Sequence, residues 1–160
     1  MRQDANSKIP KNELSVSDLL NKIAGSLEQK YHMQVVGIAI SMPRGVVKEL
    51  GLDFQIQGPL SREDIRKILV YSAQEFLALV NADKVIKPYL QNQLFEIKDI
   101  DISLFMINSR DQGLDDPYIG IAGIANGRLI YKKLLTTDVP SIKSEFEESY
   151  EEAIQALQDH

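Results

Sequence analysis

The chain has 160 residues, 44% of them hydrophobic and 26% charged, with no cysteine and a formal net charge of −5. That length fits one domain able to bury a sizeable core, and the composition excludes collagen-like and low-complexity chains. The lack of thiols rules out disulfides, thiolate metal sites and a cysteine nucleophile, while the acidity disfavours nucleic acid and anionic membranes as partners.

No apolar run approaches the roughly 18 residues that a membrane span requires. The opening MRQDANSKIPKNE lacks the apolar core of a signal peptide. The chain therefore reads as cytoplasmic as it stands, or as exported to the periplasm if a leader has been removed. Residues 1–13 are polar and read as a flexible tail ahead of a single domain over 14–158.

Leu14, Ser15, Asp18 and Leu19 have the spacing of a hydrophobic staple and capping box, and Leu19, Leu20, Ile23, Leu27 and Tyr31 continue as one helical face. A helix of about 15 residues follows from that pattern. Met33–Met42 is short, apolar and β-branched, as in a buried strand. Pro43, Arg44 and Gly45 form a turn, and Val46–Gln57 alternates with period two, so an antiparallel hairpin is expected.

The strongest helix signal runs from Ser61. This serine is placed to accept from the backbone of Asp64, with Leu60 and Ile65 as its staple. Ile65, Ile68, Leu69, Ala73, Phe76 and Val80 form one face, and Asn81 is the expected left-handed stop. Glu96–Ile107 reads as a strand and Asn108–Pro117 as a loop. Tyr118–Ala125 and Arg128–Leu134 flank Asn126-Gly127, a type I′ hairpin signal. Ser141 is expected to cap a last helix with Ile142, Phe146, Tyr150, Ala153 and Leu157 inward and Glu145, Glu147, Glu148, Glu151 and Glu152 outward.

The resulting order is α-β-β-α-β-β-β-α. It predicts a two-layer α+β domain, an antiparallel sheet of about five strands with helices packed on one face. Whether the two strand groups join in one sheet stays open at this point.

Candidate sites are few. Asp99 and Asp101, near Glu96, share a face and could form an acid–base pair in a cleft, although the wet side of a strand explains them more simply. Asp111, Asp115 and Asp116 lie in a loop with Gly113 that could offer oxygen ligands. EF-hand spacing is absent there, and turn-forming aspartates are the simpler account. GIAGIANG at Gly120–Gly127 lacks GxGxxG spacing and leads into a strand, so it is no phosphate loop. A His-based triad would rest on His32, and no GxSxG elbow supports one. The acidic final helix could meet a basic partner. Arg128, Lys132 and Lys133 form only a small basic spot.

The run from Ser61 to Phe105 resembles a segment of small uncharacterised bacterial proteins: a helix with an arginine in its second turn (Arg66), then Phe76-Leu77, Asn81, Pro88-Tyr89-Leu90 and an isoleucine-rich strand, Ile97–Phe105. The resemblance implies a bacterial protein, often exported behind a leader, with no established activity and no site residues.

On these grounds the expected role is a non-enzymatic binding or interaction protein. It would need no cofactor or metal and would take a protein or small ligand through a sheet edge, a groove or the acidic helix. The alternative is a small carboxylate-based enzyme or a ligand or metal sensor built on Asp99, Asp101 and the 108–117 loop. Oligomeric state is not legible.

Overall fold

A computed structural model describes residues 11–135 and 141–159. The elements follow the hydrophobic patterning: α1 (Lys11–Tyr31), β1 (Gln34–Ser41), β2 (Glu49–Gln57), α2 (Arg62–Ala82), β3 (Ile100–Ile107), β4 (Ile119–Ala125), β5 (Arg128–Leu135), β6 (Ser141–Ser149) and α3 (Tyr150–Gln158). Short 3-10 turns occupy Pro43–Gly45, Lys87–Tyr89, Gln91–Gln93 and Ile97–Asp99.

All strands join one six-stranded sheet in the order β1-β2-β3-β4-β5-β6. The β2–β3 pair is parallel, in register from Leu50↔Ile100 to Gln57↔Ile107, and every other neighbour is antiparallel. The α+β expectation thus holds, with one more strand than predicted and one parallel seam. A parallel pair needs a crossover, and α2 is that crossover.

Alternation sets the two faces. Leu50, Leu52, Phe54 and Ile56 of β2, Ile100, Ile102, Leu104 and Met106 of β3, Ala122 and Ile124 of β4, and Leu129 and Tyr131 of β5 are buried. They meet Val16, Leu20, Ile23 and Leu27 of α1 and Ile65, Leu69, Ala73, Phe76 and Val80 of α2 in one core. Helices cover this face of the sheet.

The cap of α2 forms as its sequence dictates: Ser61 is extended, and its hydroxyl accepts from the Asp64 N–H at 3.1 Å. Asn81, the expected stop, is instead helical, and Asp83 is the cap residue. The Asn81 side chain clips Phe95, accepting from its N–H at 2.8 Å and donating to its carbonyl at 3.0 Å. This imitates a strand pairing and fastens the crossover connection to the helix.

Other boundaries differ from the sequence reading: β2 starts at Glu49 rather than Val46, and β3 at Ile100 rather than Glu96, after the 3-10 turn Ile97–Asp99. Helix α1 begins at Lys11, so Ser15 lies inside it rather than capping it. Residues 1–10 of the expected tail lie outside the described residues. Ser141 caps no helix: residues 141–149 are β6, paired with β5, and α3 starts only at Tyr150. Ser149 is its true cap, accepting from the Glu152 N–H at 3.0 Å while Glu152 accepts from the Ser149 N–H at 2.8 Å. The expected acidic helix face is therefore dispersed. Glu145 and Glu147 sit on a strand, Glu148 is buried, and Glu151 and Glu152 lie in the first turn of α3.

Candidate functional site on the bare face of the sheet

The face away from the helices has no second layer among the described residues. Its composition is read directly from strand register. One row crosses the whole sheet as Gly37, Asp53, Ser103, Gly123, Ile130 and Glu147. Beside it run Gln55, Phe105, Ile121, Lys132 and Glu145, and on the other side Ala39, Gly51 and Asp101.

Small residues hollow the middle of this surface. At Gly123 a Cβ would stand 2.7 Å from the Ile102 carbonyl, so the close approach of β4 to β3 admits only glycine there. The hollow is a trough of about 180 Å³ lined by Asp101, Ser103, Ile121, Gly123, Ile130 and Lys132. Pockets for small ligands usually enclose about 300–1,000 Å³. The trough suits a side chain of a docked surface better than a whole metabolite.

Charge is unevenly spread across the face. Glu49, Asp53 and Asp101 stand on β2 and β3, and among the described residues none of them enters a salt bridge. Burial, and then the negative charges of Glu49 and Asp53, push the Asp101 carboxyl above its ordinary range. At the opposite end, Arg128 is neutralised by Glu147 at 2.5 Å, and Lys132 lies in register with Glu145. Three carboxylates without a salt bridge thus gather on the β2–β3 side, with Lys132 facing Asp101 across the trough.

The structure separates the other sequence candidates. Asp99 precedes β3 in a 3-10 turn, where its carboxylate accepts from the Glu96 N–H at 2.8 Å. It lines a polar cleft of about 370 Å³ with Lys48, Glu49, Lys98 and Asn126, while Asp101 lines the trough. The two aspartates do not share a site.

In the 108–117 loop, Asn108 is the organiser. Its side-chain oxygen accepts from the Arg110 and Gln112 N–H groups at 2.8 and 3.1 Å. Asp111 has a left-handed φ of 59° and donates its N–H to the Asn108 carbonyl at 3.0 Å. Asp115 and Asp116 border an open hollow with Gly113 and Tyr118. Among the described residues, no group of three or more His, Cys, Asp or Glu side chains is placed to hold a metal ion. His32 also serves the backbone. It is left-handed (φ 53°) just after α1, and the following N–H of Met33 reaches back to the Glu28 carbonyl at 3.2 Å. That is a Schellman-type helix end.

Sequence reasoning missed one polar cluster. Glu148, 6% exposed, accepts from Arg66 Nε at 2.8 Å and Arg66 Nη2 at 3.0 Å, and from the Tyr131 hydroxyl. Burial, and then the Glu148 hydrogen bond, push the Tyr131 hydroxyl well above its ordinary range. Arg62 stacks over the Phe146 ring at 3.8 Å from its centroid. The cluster fastens β6 to α2. Its only sequence signal was an arginine beside the apolar face of α2, and its partner lay 82 residues away.

No helix among the described residues is long and apolar enough to cross a membrane. No family model, curated protein or solved structure matches the chain.

Proposed function

We propose that the protein is a non-enzymatic binding module that takes a protein partner on the bare face of its sheet. The observation that carries this reading is the face itself. Phe105, Ile121 and Ile130 form a half-buried apolar strip on a sheet whose other side, among the described residues, alone carries helices. An apolar strip rimmed by charge is the common makeup of a protein contact surface. The carboxylate-enzyme reading has Asp101 in its favour. It is weakened because Asp99 lies in another cleft and the trough is only about 180 Å³.

Site-specific photo-crosslinking in the native host tests the proposal. A benzophenone side chain at Ile121 or Ile130 is expected to give one discrete adduct, identifiable by mass spectrometry, that is absent when the probe replaces the exposed Lys67 on α2. The same products from all three positions, or none from the sheet positions, would overturn it.

A further inference from the structure

The two edges of the sheet are built differently. The edge strand β6 carries Lys143, Glu145 and Glu147, and its pairing with β5 shifts register between Lys133 and Leu134. Charges and bulges are the usual devices that keep an edge from pairing with another chain. The other edge strand, β1, is QVVGIAIS and holds no charged residue. Among the described residues only its first positions are shielded: the Glu28 side chain accepts from the Val35 N–H at 2.9 Å, and the register shifts between Val35 and Gly37. From Gly37 to Ser41 the strand runs in regular register with β2, and its outer side pairs with no strand among the described residues. Ile38 there is 41% exposed.

What stands behind this edge defines the guest. On the bare face, β1 presents only Gly37, Ala39 and Ser41, opposite Asp53, Gly51 and Glu49 of β2. Among the described residues of β1, no larger side chain on that face stands between the two carboxylates and the edge. The Asp53 carboxylate leans over Gly37, where a Cβ would stand 3.1 Å from its Oδ2. Neither Asp53 nor Glu49 has a basic partner in a salt bridge among the described residues.

We propose that the β1 edge receives an extended segment of a basic polypeptide as a seventh strand, with lysine or arginine side chains on the bare side meeting Asp53 and Glu49. The proposal rests on the binding reading above and narrows it to one edge and one partner chemistry. Neighbouring strands lie about 4.8 Å apart, so the guest backbone would run about 10 Å from β2. A lysine or arginine laid across Gly37 or Ser41 spans that gap. Asp53 and Glu49 are four positions apart on one face, so the guest needs basic residues at i and i+4, with backbone hydrogen bonds supplying the rest. A second copy of this chain is the poorer occupant: β1 brings no cation of its own, and each copy has a net charge of −5.

The probe is an eight-residue, end-blocked peptide of alternating lysine and valine, labelled for fluorescence anisotropy. Its controls are the glutamate–valine counterpart and a lysine–valine peptide N-methylated at alternate residues, which keeps the charge but cannot pair as a strand. The lysine–valine peptide is expected to bind and to slow amide hydrogen exchange across Gly37–Ser41, leaving the β6 edge unchanged. Asp53→Asn combined with Glu49→Gln is expected to weaken binding at least fivefold, with urea stability no lower than wild type showing that the fold is intact. Equal binding of the N-methylated peptide, protection elsewhere than β1, indifference to the double substitution, or no binding would each overturn the proposal. If crosslinking at Ile130 succeeds while the peptide fails, the edge assignment falls and the bare-face reading stands.

Discussion

Replacing Arg66 by Met tests the core of the architecture, because Arg66 and Glu148 are a buried ion pair that joins a helix to a distant strand. The side chains are 12% and 7% exposed, and two hydrogen bonds of 2.8 and 3.0 Å hold the carboxylate from α2. Arg66→Met leaves Glu148 buried with only the Tyr131 hydroxyl. Stranding one member of such a pair costs about 3–5 kcal/mol. At a urea slope of about 2 kcal/mol per molar, that lowers the midpoint by about 2 M. Glu148→Leu strands the guanidinium instead and costs a similar amount, whereas the double variant Arg66→Met/Glu148→Leu removes both charges and regains most of the loss. Urea unfolding followed by circular dichroism on the four proteins reads the coupling. If the two single losses simply add in the double variant, the pair is not the joint described above.

Three further outcomes follow from the core, the clip and the bare face. Phe76→Ala opens a cavity at a fully buried site and is expected to cost about 3–5 kcal/mol, while Leu60→Ala loses only a partly buried contact and costs less; equal shifts in urea midpoint would refute the packing of α2. Asn81→Ala leaves the Phe95 N–H and carbonyl without their partner, costing about 1–3 kcal/mol and speeding exchange of the Phe95 amide; unchanged exchange there would refute the clip. The Asp101 carboxyl is raised, so the folded chain holds that proton more tightly than the unfolded chain, and ionised Asp101 opposes folding above its raised pKa. Asp101→Asn is therefore expected to raise the urea midpoint slightly at pH 7 and to leave it unchanged at pH 3, below the usual carboxylate range; a loss of stability at pH 7 would contradict that sign.

Much of the fold was legible because local signals agreed with it. Ser61 and Asp64 start α2, Asn126 and Gly127 take the positive φ values of 52° and 72° that a type I′ turn demands, and β2 alternates cleanly. The segment 141–149 was not legible, because Ile142, Phe146 and Tyr150 are spaced as on a helix while Ile142, Ser144 and Phe146 also alternate. The open side of β5 decides between the two periods, and that is a tertiary fact. The parallel seam was equally hidden, since nothing local says that α2 returns the chain beside β2. At the candidate site, Asp101 was found as the wet side of a strand. Its neighbours Asp53 and Glu49 came from the register of other strands, which no single segment encodes. Asp99 misled because its role is local, holding the turn before β3.

The parallel seam also divides the chain in a useful way. Everything through Gln93 contributes α1, the first hairpin and α2, and everything from Leu94 onward contributes the remaining strands and α3. Each half is a contiguous run of local pairings that carries only one side of the interior. Severing the backbone between Gln93 and Leu94, both exposed, should yield two pieces that are loose alone and reassemble when mixed. Cooperative melting of either piece in isolation would show that the interior is not shared across the cut.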